Sequence, residues 1–227
     1  MTSFQGIIFD FNGVLLWDSP LHEQAWRQIS IELRGESLTD EEIAAHVHGR
    51  HNRDILAYLT GRPVVGAELR QLAHHKETIY RQLCLAPDAN FVLSPGAVGL
   101  LDFLVGQHIP RAIATASGKD NLDFYLEHLE LSRWFDPSQI VYDDGSRPGK
   151  PAPDIYLQAA CNLSLPPDRC VVVEDSRSGL QAAYAAGIGQ IIALGPAQTH
   201  PHLLQLRGVD RVVESLQQFP REELFVT

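Results

Sequence analysis

The sequence predicts an α/β fold: a Rossmann-like parallel sheet as the core, with a small α-helical cap domain inserted after the first strand. Three observations predict it. Short apolar runs recur at "GIIFDF" (6–11), "RAIATAS" (111–117), "QIVYDD" (139–144), "CVVVEDS" (170–176), "QIIALG" (190–195) and "DRVVES" (210–215). Segments of helical period lie between most of these runs, at the spacing of βαβ units. From about Pro20 to Asp88, by contrast, the pattern is helical throughout, with no convincing strand.

Taken in chain order, Ile7, Ile8 and Phe9 form a short run of the kind a strand buried on both faces shows. The run stops at Asp10, and Gly13 after Asn12 is turn punctuation. In the helical block, Ser19 followed by Pro20 is a start signal. Thr39 with Glu42 makes a capping box, and "VGAELRQLAHHKETIYRQL" (65–83) has the period of a long amphipathic helix. The expected boundaries are residues 17–88 for the cap and 1–16 with 89–227 for the core, with hinges near Leu16 and between Asp88 and Ser94. Past the cap, Ser94 and Pro95 begin a helix that runs toward Gln107 with Leu100, Leu101 and Leu104 on one face. Ser117 and Gly118 begin another, whose apolar stripe is Leu122, Tyr125, Leu126 and Leu129. A third runs from about Pro153 to Asn162, and a fourth from near Ser176 to a C-terminal cap at Gly187.

Composition narrows the classes of function. At 227 residues the chain can fill one sizeable core, or a core with a small insert. Its formal charge of −10 and lack of any Lys/Arg cluster argue against nucleic acid as a partner. No apolar run approaches the roughly 20 residues of a membrane span. Cys84, Cys161 and Cys170 form no CxxC pair, which fits reduced thiols. With no basic leader or long apolar stretch before the first strand, a cytoplasmic protein is expected.

The polar residues at the strand ends carry the chemistry. Asp10 ends the first run, Thr115 and Ser117 the second, and Glu174 with Asp175 the one near 171; Lys150 lies in the loop "GKPAPD" after the run near 140. In a parallel sheet these ends open on one edge, so the groups should converge. Together they suit phosphoryl transfer. A carboxylate can attack phosphorus, and a hydroxyl and a lysine can hold the transferring oxygens. The helix start after Ser117 adds N–H groups, and a further carboxylate can hold Mg²⁺.

On these residues the chain resembles the haloacid dehalogenase superfamily, in the subgroup with a helical cap between its first and second motifs that contains β-phosphoglucomutase and phosphoglycolate phosphatase. "FDFNGVLLWDS", "IATASG", "GKPAPDIY" and "VVVEDSRSG" resemble the four motifs in order. The resemblance implies a Mg²⁺-dependent phosphohydrolase of small phosphorylated metabolites that works through an aspartyl-phosphate. Asp10 would be the nucleophile and Thr115 the phosphate-holding hydroxyl, with Ala116 and Ser117 lining the same loop. Lys150 would pair with phosphate and nucleophile, and Asp175 would anchor the metal, with Glu174 as a ligand or a group behind it. Position 12 departs from the pattern, because the family's phosphatases and mutases carry a second Asp there as general acid and base. Asn12 exchanges no proton near neutral pH, while its main-chain carbonyl can still ligate Mg²⁺. Two alternatives follow: a catalytically weak or inactive protein that binds phosphate esters, and, ranked last, a sugar phosphomutase.

Selectivity is expected from the cap. Within "HGRHNRDIL" (48–56), Gly49 permits a tight turn and Arg50 or Arg53 could meet an anionic group, while Trp17, Asp18, His22 and Trp26 could line the cavity. His46, His48, His51, His74, His75, His200 and His202 match no zinc spacing. The expected partner is a small phosphorylated metabolite, the expected state a monomer or weak dimer.

Overall fold

The computed structural model describes residues 4–48 and 50–225. The chain divides into two compact units, one made of residues 1–17 and 92–227, the other of residues 18–91.

The first unit is built on a six-stranded parallel sheet. Its strands are β1 (Gly6–Phe9), β2 (Arg111–Gly118), β3 (Val141–Asp143), β4 (Cys170–Glu174), β5 (Gln190–Leu194) and β6 (Arg211–Val213), in the spatial order β3-β2-β1-β4-β5-β6. The chain builds outward from β1 to β3 on one side, then crosses back to β4 on the other. That reversal opens a crevice at the carboxyl ends of the central strands, where open α/β sheets bind their ligands. Register makes the placement specific: Phe9 pairs with Ile113 on one side and with Val173 on the other. Asp10 and Glu174, the next residues, therefore leave adjacent strands at the same level. All four residues of β1 and all five of β4 are buried, which is why these strands read as unbroken apolar runs.

The second unit is helical among its described residues: α1 (Ser19–Arg34), α2 (Asp40–His46), α3 (Asn52–Thr60) and α4 (Gly66–Cys84). The capping box at α2 is complete, with the Thr39 hydroxyl accepting from the Glu42 N–H and the Glu42 carboxylate accepting from the Thr39 N–H. Back in the first unit, α5 (Ala97–Gly106) precedes β2, α6 (Lys119–His128) follows it, and α7 (Asp154–Asn162) and α8 (Arg177–Ala185) flank β4.

One expected helix start is corrected. Ser94 and Pro95 do not open α5, whose N-cap is Gly96 in a left-handed conformation. Ser94 is committed elsewhere: its hydroxyl donates to the Val14 carbonyl at 2.6 Å and its N–H to the Leu15 carbonyl at 2.8 Å. Leu16 and Leu93 form an antiparallel bridge beside these bonds. The first strand is also shorter than read, because Phe11 has left the sheet to accept from the N–H groups of Val14, Leu15 and Leu16 in a tight turn.

No helix among the described residues is long and apolar enough to cross a membrane.

Candidate active site

Four of the expected residues meet at the carboxyl ends of β1 and β4. Lys150 Nζ lies 2.7 Å from Asp10 Oδ1 and 2.6 Å from Glu174 Oε1, bridging the two carboxylates. Asp10, Glu174 and Asp175 each offer a carboxylate oxygen within 4.8 Å of the others. Asp175 also lies against the turn after β1: a Cβ on Gly13 would overlap the Asp175 carboxylate, and Gly13 has φ +86°. Only glycine meets both conditions at low cost.

Burial and like charge dominate the electrostatics. Asp10 is 7% exposed, and burial, with Glu174 adding to it against Lys150, pushes its carboxyl up to about 7. Burial, followed by the charges of Glu174 and Asp10, raises Asp175 well above the usual carboxylate range. Burial alone would discharge Lys150, but Asp10 and Glu174 outweigh it and hold the ammonium well above its ordinary value. Three carboxyls thus crowd round one ammonium, and the raised Asp10 and Asp175 carboxyls reflect how little positive charge the site offers them. An all-oxygen donor set short of positive charge fits a hard divalent cation of the Mg²⁺ type.

Glu174 is the most heavily bonded of the three. Its Oε1 accepts from Lys150 and, at 3.1 Å, from the Tyr156 hydroxyl. Its Oε2 accepts from the Ser176 N–H at 2.6 Å and the Ser176 hydroxyl at 3.0 Å. The same Ser176 hydroxyl accepts from the Gly179 N–H at 3.0 Å and so caps α8. Neither Tyr156 nor Ser176 was among the expected site residues. Tyr156 closes the stretch "GKPAPDIY" six residues after Lys150, and its ring carries the Lys150 ammonium 5.2 Å from its centroid.

Asn12 joins a second cluster. The Ser117 hydroxyl donates to Asn12 Oδ1 at 2.8 Å, with Thr115 Oγ1 at the outer limit of 3.5 Å. Thr115 Oγ1 accepts from the Ser117 N–H at 3.0 Å, and Asn12 Nδ2 donates to the Tyr125 hydroxyl at 3.1 Å. Thr115 is buried, while Ala116, next along β2, is exposed. Tyr125 was expected only as part of an apolar stripe.

Of the expected cap residues, Trp17 belongs to the first unit and Asp18, His22, Trp26, Arg50 and Arg53 to the second. His22 stacks on Tyr80 with centroids 3.9 Å apart. Lys76 Nζ is 2.6 Å from His22 Nδ1, and His22 Nε2 is 3.2 Å from Asp18 Oδ2. Lys76 and Asp18 thus flank the His22 ring at its two nitrogens. Burial lowers the Lys76 ammonium, with Glu77 opposing it. Lys76 lies within α4, the long amphipathic helix expected over 65–83. Arg50 and Arg53 are exposed, and Arg53 lies 3.4 Å from its neighbour Asp54. Gly49 falls outside the described residues.

Comparison with known proteins adds a family. Residues 4–187 match the haloacid dehalogenase-like hydrolases. Hexitol phosphatase A of Escherichia coli is 31% identical over 94% of this chain and 92% of its own length. β-Phosphoglucomutase of Bacillus subtilis is 30% identical over 92% of this chain and 88% of its own. Among solved structures, a HAD hydrolase of family IA, variant 3, from Entamoeba histolytica superposes with a TM-score of 0.91 at 31% identity, covering 97% of both chains.

Proposed function

The chain belongs to the haloacid dehalogenase-like hydrolase family, and from that premise we propose that it hydrolyses the phosphate ester of a small phosphorylated sugar through a phosphoryl group carried on Asp10. The observation that carries this reading is the Lys150 ammonium held between Asp10 and Glu174, with Asp175 in the same cluster. The sugar comes from the relatives, among them a hexitol phosphatase.

The carboxylates of Asp10, Asp175 and Glu174 and the main-chain carbonyl of Asn12 would hold Mg²⁺. When bound, the cation neutralises charge on the phosphoryl oxygens and returns Asp10 to its ionised form. In the first step an Asp10 oxygen forms a bond to phosphorus as the bond to the sugar oxygen breaks. In the second, a water oxygen attacks phosphorus and the Asp10–phosphorus bond breaks, releasing phosphate and the free carboxylate. Lys150, Thr115 and Ser117 hold the transferring oxygens, with the Ala116 and Ser117 N–H groups beside them. Because phosphoryl transfer rests on placement and charge, this set suffices for the phosphorus itself.

Proton transfer is where the site is weak. A carboxamide at position 12 neither protonates the sugar oxygen nor accepts a proton from the attacking water, and general acid–base help is worth about 10²–10⁴-fold. Slow turnover, or a substrate whose leaving oxygen needs no proton, follows. The same residue favours the second reading, a phosphate-ester-binding protein: its carboxamide is held at both ends by neutral hydroxyls. A mutase ranks below both, since it must move protons on sugar hydroxyls in each direction. Choice among sugars falls to the helical unit, with His22, Arg50 and Arg53 as candidates.

Phosphate release across phosphorylated sugars, with and without Mg²⁺, tests the reading, together with a search by mass spectrometry for a phosphoryl group on Asp10. Release that needs Mg²⁺ and a mass shift on the Asp10 peptide support it. No release from any ester, alongside a rise in melting temperature with one of them, favours the binding protein.

A further inference from the structure

Tyr125 is wholly buried (0% exposed), and its ring stacks on Phe11 with centroids 4.6 Å apart and planes 30° apart. Packing accounts for the ring, and phenylalanine would pack as well. The hydroxyl does something else: it accepts from Asn12 Nδ2 at 3.1 Å across 113 residues of sequence. The residue thus grips two successive positions of the turn after β1, Phe11 by its face and Asn12 by its oxygen.

A carboxamide has two unlike ends, and here each finds its complement. Nδ2 donates to Tyr125, while Oδ1 accepts from the Ser117 hydroxyl at 2.8 Å. Ser117 is tied back in turn, its N–H donating to Thr115 Oγ1 at 3.0 Å. A chain of hydrogen bonds therefore runs from α6 through the turn after β1 to the carboxyl end of β2, the segment assigned to the phosphate. The Tyr125 hydroxyl holds one end of the carboxamide and the Ser117 hydroxyl the other, so the two hydroxyls are tied together through Asn12.

We propose that Tyr125 is a positioning residue for phosphoryl transfer: by holding Asn12 Nδ2 it keeps the carboxamide oxygen on Ser117, and so keeps Ser117 and Thr115 in the arrangement that receives the phosphate. This rests on the hydrolase reading above for what that end of β2 receives. It also gives Asn12 a task of its own, as the link between Tyr125 on α6 and the carboxyl end of β2.

Tyr125→Phe removes the acceptor and keeps the ring, so the stack on Phe11 survives. The Asn12 side-chain amide, identified in ¹⁵N-labelled protein as the signal pair lost in Asn12→Ala, should shift and exchange with water several-fold faster in Tyr125→Phe. Ser117→Ala should disturb the same pair from its other end. Inorganic phosphate with Mg²⁺ should bind about fivefold more weakly to Tyr125→Phe, as loss of one hydrogen bond implies. In an Asn12→Ala background the same change should cost less than about twofold, because the path runs through Asn12. An amide pair that stays put in Tyr125→Phe overturns the proposal. So do equal losses of phosphate affinity in both backgrounds, and so does a protein that binds no phosphate at all. None of these readouts needs turnover, so failure to release phosphate from any ester would refute the hydrolase and leave this test decisive.

Discussion

Ser176 gives both its main-chain N–H and its hydroxyl to a single oxygen of Glu174, at 2.6 and 3.0 Å, while the opposite oxygen of Glu174 takes Lys150. Glu174 is thereby wired to α8 on one side and, through Lys150, to Asp10 on the other. Breaking a buried, hydrogen-bonded pair from one side typically costs about 3–5 kcal/mol. Glu174→Ala should approach that loss in urea unfolding, because Lys150, Tyr156 and Ser176 all lose a partner. Asp175→Ala should cost clearly less, while abolishing any Mg²⁺ response. Equal costs would mean that Glu174 anchors nothing.

Asp10→Asn should lower turnover at least about a thousandfold, since a carboxamide cannot carry the phosphoryl group. Trapped phosphate on the peptide containing residue 10 should disappear with it. Retained turnover would move the nucleophile elsewhere.

Asn12→Asp should raise turnover of phosphate esters by at least about tenfold, by supplying the missing acid and base. Steady-state rates on a panel of sugar phosphates check this. No gain would place the defect outside proton transfer.

Gly13→Ala should damage the site and the fold together. The new methyl group meets the Asp175 carboxylate, and φ +86° is unfavourable for alanine. A loss of about 1 kcal/mol or more in urea unfolding, with weakened Mg²⁺ binding, is the expected result. A neutral substitution would show that the turn is not held against Asp175.

Asp10 sets a pH dependence. Its carboxyl is raised to about 7 in the folded chain, against roughly 4 when unfolded. Between those values the folded state keeps a proton that the unfolded state has released, so metal-free protein loses stability as pH rises through this window. Asp175 is shifted in the same direction. A divalent cation reverses the penalty by stabilising the ionised carboxylates. Excess Mg²⁺ should therefore raise the melting temperature of chelator-treated protein more at pH 8 than at pH 5.5. Equal increments at the two values would contradict the raised carboxyl.

Much of this was legible in the sequence because it was local. β1, β4 and β5 are short apolar runs with little or no exposure, and the strand-end positions of Asp10 and Glu174 follow from where those runs stop. What was not legible depends on partners far along the chain. Ser94 with Pro95 has the form of a helix start, but its hydroxyl is taken by the Val14 carbonyl, 80 residues away. Tyr125 fits an apolar stripe by its ring, and nothing in the period of α6 reveals that its hydroxyl ends at Asn12. Lys76 sits in an amphipathic helix that gives no hint of His22 against its ammonium. Amphiphilic side chains satisfy a hydrophobic pattern with one end while the other does the chemistry.

The bridge between Leu16 and Leu93, with the Ser94 hydroxyl fastened to Val14, brings the outgoing and returning chain together at one spot on the core. An insertion entered and left through a single doorway can be swapped whole without disturbing the sheet that hosts it. Residues 18–91 thus leave and re-enter the core at one place, so replacing them as a block should leave the ends of β1, β2 and β4 as they are.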